Sequence, residues 1–476
     1  MNPAVFDRPM EGMKLMNICA VVMAAGEGKR MKSNHSKVVQ KAAGKPLVCW
    51  VKDVLRQAGA DEQVYIVGHR QEEVRAVLGE EVAFVLQEQQ LGTGHAVMQA
   101  SQFLEGRMGC TLILPGDAPL VTADTLRKVI EQFEANKCAA MLITADAPDP
   151  TGYGRIIRNE SGHVTAIVEH RDATDAQREI HEVNASMYCF DTPLLLSALG
   201  KIGSRNQQQE YYLTDTIEIL INEGYRIHAF KTDFEEIMGV NDRIQLQEAA
   251  AVLNHRIVRQ HMHNGVSVID PGTTYIDETV RIGRDTIVYP MTFLEGNTQI
   301  GEAAVIGPNT RLIDVIAGNR SRLEQVVAES CTIEEDCEVG PFAHIRFGSQ
   351  IRSGCHVGNF VEIKNSTLGT DTQIVHQGYL GDVDVGDNVN FGSNCSIANY
   401  DGQVKARTKI GSHAFIGTNT TLVAPVEVLE NSYVAAGSTI TETVPEYALS
   451  IARARQINKE NWVILRNRLR EIKKNP

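Results

Sequence analysis

The sequence predicts a chain in two parts: an α/β half built on a Rossmann-like mixed sheet, followed by a left-handed parallel β-helix of hexapeptide repeats. Three observations predict this. Up to about residue 240, short β-branched runs alternate with segments of helical period, the pattern of βαβ units and a largely parallel sheet. In the second half, aliphatic residues recur every six positions, which is neither a helical period nor a simple strand period. Between the two, residues 242–263 (DRIQLQEAAAVLNHRIVRQHMH) contain neither Gly nor Pro.

Taken in order, residues 1–16 hold Met1, Met10, Met13 and Met16 without apolar periodicity and are expected to form a flexible extension. A first domain is expected over 17–241. In it Ala20–Met23 reads as a strand, Pro46–Ala58 as a helix, Gln63–Val67 as a strand and Glu72–Leu78 as a helix. A loose stripe of Ile244, Leu246, Ala250, Leu253 and Ile257 makes 242–263 a connecting helix.

The last domain is expected over 264–476. Ile282, Val288, Leu294, Ile300, Ile306 and Leu312 are spaced by six, and a second run holds Val327, Ile333, Val339, Ile345, Ile351, Val357 and Ile363. After one-residue slips the pattern continues through Leu368, Ile374, Leu380, Val385, Phe391 and Ile397, and then from Ile410 to Ile440. Repeats of this kind stack one aliphatic side chain per face inside a triangular coil. Two interruptions, near 313–325 and at 398–409 (ANYDGQVKARTK), are expected to emerge as loops. The stretch 458–474 reads as a basic, solvated helix.

Composition narrows the function classes. The chain has 476 residues, 43 % hydrophobic and 22 % charged, which suits a multi-domain globular protein at roughly 150 residues per domain. The apolar run at 18–25 falls far short of the roughly 20 residues a bilayer span needs, so neither a membrane anchor nor an export signal is expected. Nine cysteines without a C-x-x-C pair point to a reducing cytoplasm. A net charge of −13 argues against a nucleic-acid partner, because neutralising phosphates needs an excess of Lys and Arg. Anionic ligands must then be held by local cation clusters.

The first such cluster is Ala24-Ala25-Gly26-Glu27-Gly28-Lys29-Arg30-Met31, between a predicted strand and a helix. Its backbone N–H groups can cradle phosphates, with Arg30 and Lys37 as neutralising cations. Asp117 ends the apolar run Leu112-Ile113-Leu114 and so belongs at the carboxyl edge of the sheet, where ligands bind in open α/β folds. The glycine loop, Gln87, the string Gln90-Leu91-Gly92-Thr93-Gly94-His95-Ala96 and the string Pro115-Gly116-Asp117-Ala118-Pro119-Leu120 resemble the sugar-phosphate nucleotidyltransferases. Gly152-Tyr153-Gly154-Arg155-Ile156, Ile167-Val168-Glu169-His170, Glu182-Val183-Asn184 and Gly239-Val240-Asn241 narrow the resemblance to N-acetylglucosamine-1-phosphate uridylyltransferases. With the β-helix attached, the resemblance is to the bifunctional family that also carries an acetyltransferase, over nearly all of 17–465.

That resemblance implies that Ala24, Ala25, Gly26, Gly28, Arg30 and Lys37 bind UTP, the last four at its phosphates. It implies Gln87, Gly92 and Thr93 at uracil, Gly154, Glu169 and Asn184 at the amino sugar, and Asp117 and Asn241 as ligands of Mg²⁺. The sugar-1-phosphate oxygen would attack the α-phosphorus of UTP and displace pyrophosphate, by positioning and charge stabilisation without a protein nucleophile. Lys29 stands where the family has Thr, and Ser36 where it has Pro.

In the β-helix the same resemblance makes His376 the general base of acetyl transfer, a role suited to a group titrating near neutral pH. It implies Arg346, Lys364, Tyr379, Asn390 and Lys405 at the sugar phosphate, where an Arg fork and a Lys point charge complement each other, with Glu362 orienting the site. Acetyl-CoA falls to Ser393, Asn399, Tyr400, Thr418, Ala436 and Arg453. The Asn399-Tyr400-Asp401-Gly402 loop matches one that completes a neighbouring subunit's site, which implies a homotrimer. Phe347 replaces a Pro, and Ser393 a small Ala. The implied sequence is acetylation of glucosamine-1-phosphate by acetyl-CoA, then uridylylation of the product. A β-helix serving only as a scaffold would need neither His376 nor the 399–402 loop, and a binding protein without turnover would lack Asp117, Lys37 or His376; all are present.

Overall fold

The computed structural model describes residues 17–204 and 206–474. The expected extension at 1–16 lies outside the described residues. Contacts divide the chain into two units, Met1–Arg256 and Ile257–Pro476. The division falls inside the Arg243–His263 helix, which the sequence reading treats as a separate linker. The physical reason is that Ala249 and Leu253 share a core with Leu47 and Leu120, whereas Val258 joins the core of the β-helix.

The sheet of the first unit follows the order Ile227–Lys231, Ala140–Asp146, Glu182–Asp191, Cys110–Pro115, Ile18–Ala24, Glu62–Val67, Ala83–Leu86. All neighbours on this path are parallel except Glu182–Asp191, which runs against both strands beside it. The sheet is thus mixed. Its central strand is buried on both faces: Ala20, Val22 and Ala24 feed one core, and Cys19 and Val21 feed the other. This explains why Ile18–Ala24 reads as a continuous apolar run rather than an alternating one. Each fully buried Val contributes about 1.5–3 kcal/mol. In Glu182–Asp191 the register shifts between Asn184 and Tyr188, with Ser186 at φ 56°; such a bulge re-aims the side chains around it.

The second unit is a left-handed parallel β-helix. Its strands pair with those one coil on, so the sequence repeat becomes three stacked columns. One carries Val288, Ile306, Leu323, Val339 and Val357. Another carries Leu294, Leu312, Ala328, Ile345, Ile363 and Leu380. The last carries Ile300, Ala317, Ile333, Ile351 and Leu368. The close approach of coils dictates glycine at Gly358, where a Cβ would collide with the Val375 carbonyl.

One expectation is corrected here. The segment 313–325 is not an emerging loop: it holds the strands Ile316–Ala317 and Arg322–Leu323 and completes a slightly shorter coil. Consequently Val327 is 40 % exposed and Ala328 points inward. The second interruption does emerge, since the step from Ile397 to Leu422 is longer than that from Leu422 to Ile440, and Tyr400 bridges Lys405 across it. The terminal helix runs over Trp462–Lys474. It is exposed along its length, as expected of a solvated helix, and presents apolar as well as basic side chains: Trp462, Val463, Ile464, Leu465, Leu469 and Ile472 are all exposed.

Candidate active sites

In the first unit, a cavity of about 600 Å³ opens at the carboxyl ends of the central strands. Of the fourteen residues expected to bind UTP, sugar or metal there, it gathers Ala24, Ala25, Gly26, Arg30, Lys37, Gln87, Gly92, Thr93, Asp117, Gly154, Glu169, Asn184 and Asn241 along its wall. Gly28 stands behind Lys37: its φ is 65°, and a Cβ there would lie 2.7 Å from Lys37 Cβ.

Lys37 Nζ pairs with the Asp117 carboxylate and donates to Asn241 Oδ1 at 3.0 Å. Along the wall, Gln87 Nε2 donates to the Gly92 carbonyl at 3.3 Å and meets His95 Nδ1 at 3.1 Å. Gly92 has φ 106°, and a Cβ on it would sit 2.6 Å from the Tyr211 carbonyl oxygen. Thr93 Oγ1 accepts the Leu213 N–H at 3.1 Å. Gly154 lies between Asn184 and Glu169, whose nearest atoms are both 3.6 Å from its Cβ position. Asn184 is fixed at both ends, donating to the Tyr188 hydroxyl at 2.7 Å and accepting the Ser186 N–H at 3.3 Å. Burial pushes the Glu169 carboxyl up, although the Thr214 hydroxyl donates to it at 3.3 Å.

In the second unit, Arg346, Lys364 and Asp382 follow one another on successive coils. Arg346 Nη1 donates to Glu362 Oε1 at 2.8 Å. Asp382 is the hub: it accepts from Lys364 Nζ at 3.3 Å, Asn365 Nδ2 at 2.6 Å and Asn399 Nδ2 at 2.5 Å. Burial raises its pKa, but these donors together hold it below the usual carboxylate range. The Phe347 ring lies 5.8 Å from Lys364 Nζ and 6.0 Å from the Arg346 guanidinium. Lys405 is exposed, and its pKa is lowered by the neighbouring ammonium of Lys364. Tyr379 is in register with Glu362, its hydroxyl filling the space a Gly381 side chain would need. His376 sits on the Gln373–Gly381 strand, paired in register with Asn359, and is exposed. Asn390 is exposed in register with Gln373.

The residues expected at acetyl-CoA form a corner column. The Ser393 carbonyl accepts the Asn419 N–H at 2.7 Å, and the Thr418 carbonyl accepts the Gly437 N–H at 2.8 Å. This brings Ser393, Thr418 and Ala436 to the same corner of consecutive coils. Arg453 Cδ is 3.9 Å from the Gly437 Cβ position. Tyr400 is exposed on its loop, and Asn399 anchors that loop to Asp382.

Residues 20–183 match the family model of the MobA-like NTP transferase domain, and residues 407–442 that of the hexapeptide repeat of succinyl-transferase. The chain is 50 % identical over 457 residues to the bifunctional protein GlmU of Acetivibrio thermocellus, covering 96 % of this chain and 99 % of that protein. It is 50 % identical, at the same coverage, to GlmU of Geobacillus sp. (strain WCH70). It is 48 % identical over 454 residues to GlmU of Halalkalibacterium halodurans, covering 95 % of this chain and 100 % of that protein. The chain belongs to the bifunctional GlmU family. It is therefore an enzyme with a uridylyltransferase half and an acetyltransferase half, using nucleotide and acetyl-CoA substrates, and it makes UDP-N-acetylglucosamine by N-acetylation and then uridylyl transfer. No described helix is long and apolar enough to cross a membrane.

The departures from the GlmU pattern have structural consequences. Lys29 pairs with Glu27 at 2.6 Å on an exposed loop. Ser36, unlike Pro, has an N–H, which donates to Glu73 Oε2 at 2.8 Å and lowers the pKa of that carboxyl. The sequence reading missed Gln90, which ties the glycine loop by donating to the Ala25 carbonyl at 2.7 Å, and His95, which holds Gln87. It quoted both within a motif without giving them a role. It also missed Asp382, to which it gave no role.

Proposed function

We propose that the cavity residues of the first unit take the parts the resemblance implies. Gly26, Gly28, Arg30 and Lys37 hold the UTP phosphates, Gly154, Glu169 and Asn184 the amino sugar, and Gln87, Gly92 and Thr93 the base. The observation that carries this is the convergence of Lys37, Asp117 and Asn241 at the strand ends of a cavity that also contains Glu169 and Asn184. Because the Gln87 nitrogen faces the Gly92 carbonyl and His95, its amide oxygen is left to accept from an imide N–H, which uracil has and cytosine lacks. The sugar-phosphate oxygen attacks the α-phosphorus, the bond to the bridging oxygen breaks, and pyrophosphate leaves with that oxygen.

Mg²⁺ suits the donor set: Asp117 and Asn241 turn two hard oxygens toward one cation, and Mg²⁺ binds through one or two protein oxygens plus substrate phosphates. Among the described residues no group of three or more His, Cys, Asp or Glu side chains is arranged to hold a metal on its own. When bound, the ion would neutralise charge developing on the phosphates.

In the second unit, His376 takes a proton from the amine of glucosamine-1-phosphate while the nitrogen attacks the thioester carbonyl. The C–S bond breaks, and the CoA thiolate leaves and is protonated. Arg346, Lys364, Tyr379, Asn390 and Lys405 hold the sugar phosphate, and the column of Ser393, Thr418, Ala436 and Arg453, with Asn399 and Tyr400, holds acetyl-CoA. The chain acts as a homotrimer in the cytoplasm. Supporting this are the exposed apolar side chains from Ile451 to Ile472, which a neighbouring copy would cover, and the nine free, buried cysteines, which suit a reducing compartment. The test is release of CoA thiol from acetyl-CoA and glucosamine-1-phosphate. His376→Ala should lower that rate on the order of 10²–10⁴-fold and leave pyrophosphate release from UTP and N-acetylglucosamine-1-phosphate intact. Unchanged acetyl transfer in the folded variant would refute the assignment.

A further inference from the structure

Lys37, Asp117 and Asn241 come from separate stretches of chain and meet through one ammonium. Lys37 Nζ pairs with Asp117 Oδ2 and donates to Asn241 Oδ1 at 3.0 Å. These are the two oxygens assigned above to Mg²⁺. The Asn241 oxygen is oriented by its own contacts: Asn241 N–H is held by Gln245 Oε1 at 2.8 Å, and its Nδ2 faces the Gly239 carbonyl at 3.4 Å. The lysine and aspartate side chains are only 14 % and 15 % exposed, so water screens their attraction weakly. One point between two oxygens cannot hold both an ammonium and a divalent ion. The lysine also has somewhere else to go, since its flexible stem lines the same cavity as Gly26 and Arg30, where the phosphates bind.

We propose that Lys37 is a built-in competitor for the cation site: its ammonium and the divalent ion exclude each other at Asp117 and Asn241, and the UTP phosphates free the site by drawing Lys37 onto themselves. This rests on the assignment of Mg²⁺ to that pair. The result is a reciprocal coupling, in which nucleotide tightens metal and metal tightens nucleotide by the same factor. A lysine holding the pair nine-tenths of the time weakens apparent metal affinity about tenfold.

The test titrates the full chain with Mn²⁺ alone, counting free ion by electron paramagnetic resonance. Lys37→Met should bind Mn²⁺ about tenfold more tightly than the wild type. Arg30→Met, which removes a charge from the same cavity without vacating either oxygen, should change affinity much less. Equal gains in the two variants would assign the effect to the general field of the cavity and overturn the competition. So would an unchanged affinity in Lys37→Met when Asp117→Ala abolishes binding. Mn²⁺ binding that survives Asp117→Ala would instead overturn the metal assignment itself. The wild type gives an independent reading: saturating Mg²⁺ should raise reductive methylation of Lys37, mapped by mass spectrometry, severalfold over NaCl of equal ionic strength. No rise would overturn the proposal.

Discussion

Replacing Asp382 by Ala removes the acceptor shared by Lys364, Asn365 and Asn399. Lys364 and Asp382 are each only 7 % exposed, so the substitution strands a buried ammonium. Breaking a buried pair from one side costs about 3–5 kcal/mol; the polar rim of the site favours the lower end, about 3 kcal/mol. That corresponds to roughly a hundredfold rise in local opening at about 1.4 kcal/mol per tenfold. Hydrogen exchange read by mass spectrometry on peptides covering 356–382 and 395–410 should therefore accelerate about a hundredfold, while peptides of the first unit stay unchanged. Asp382→Asn, which keeps an acceptor but loses the charge, should fall between. The pKa of Asp382 is lowered in the fold, so its contribution is fully present above the unfolded value of about 3.9 and lost as pH falls through the lower folded value. Wild type and Asp382→Asn should converge only in strong acid. Less than a threefold change in exchange for Asp382→Ala at neutral pH would refute the hub reading.

Other outcomes follow from the same geometry. Burial first, then Glu218 and Asp172, raise the pKa of Asp215 to about 6, so ionisation is disfavoured in the fold and stability falls as pH rises from about 4 to about 6. Discounted for its partial exposure, this is about 1 kcal/mol; Asp215→Asn should be more stable than the wild type in urea at pH 7 and equal to it at pH 4. Gly28→Ala places a methyl group 2.7 Å from Lys37 Cβ at φ 65° and should destabilise the loop by about 1–3 kcal/mol, read as a rise in KM for UTP with CoA release untouched. Asp117→Ala should abolish pyrophosphate release alone, because it leaves the second unit intact; loss of both activities in a folded chain would contradict separate sites.

Much of this was legible in the sequence for physical reasons. The period of six is a direct image of three faces per coil, so the β-helix and most of its inward residues could be read off. The glycine loop and the place of Asp117 were legible because glycine marks a backbone demand and an acid after a buried strand marks the sheet edge, whereas Asn241 came only from the resemblance. What escaped is what depends on packing between distant segments. The slip from Leu312 to Ala328 hid a complete coil, because Val327 keeps the period of the following run while pointing outward. Asp382 escaped because its worth lies in three donors from two other segments, Lys364-Asn365 and Asn399, and Tyr188 because a bulge, invisible in composition, carries its hydroxyl to Asn184. The exposed Trp462 and Leu469 were obscured by the basic residues among which they fall.

The stacking of coils has a further consequence. Length is absorbed at the corners, as the short coil at 313–325 and the long one at 398–409 show, so each rung constrains only the rungs beside it. Arg346, Lys364 and Asp382 occupy consecutive rungs, joined by the Arg346 N–H donating to the Ile363 carbonyl at 2.8 Å and the Asp382 N–H to the Lys364 carbonyl at 3.0 Å. Their mutual spacing is the rise of the solenoid itself. If these residues form the acetyl-transfer site as proposed, the site works as a gauge of alignment: a slip of one rung would leave the apolar interior nearly as well filled but would pull Lys364 off Asp382, so chemistry would report a misthreaded coil before stability did.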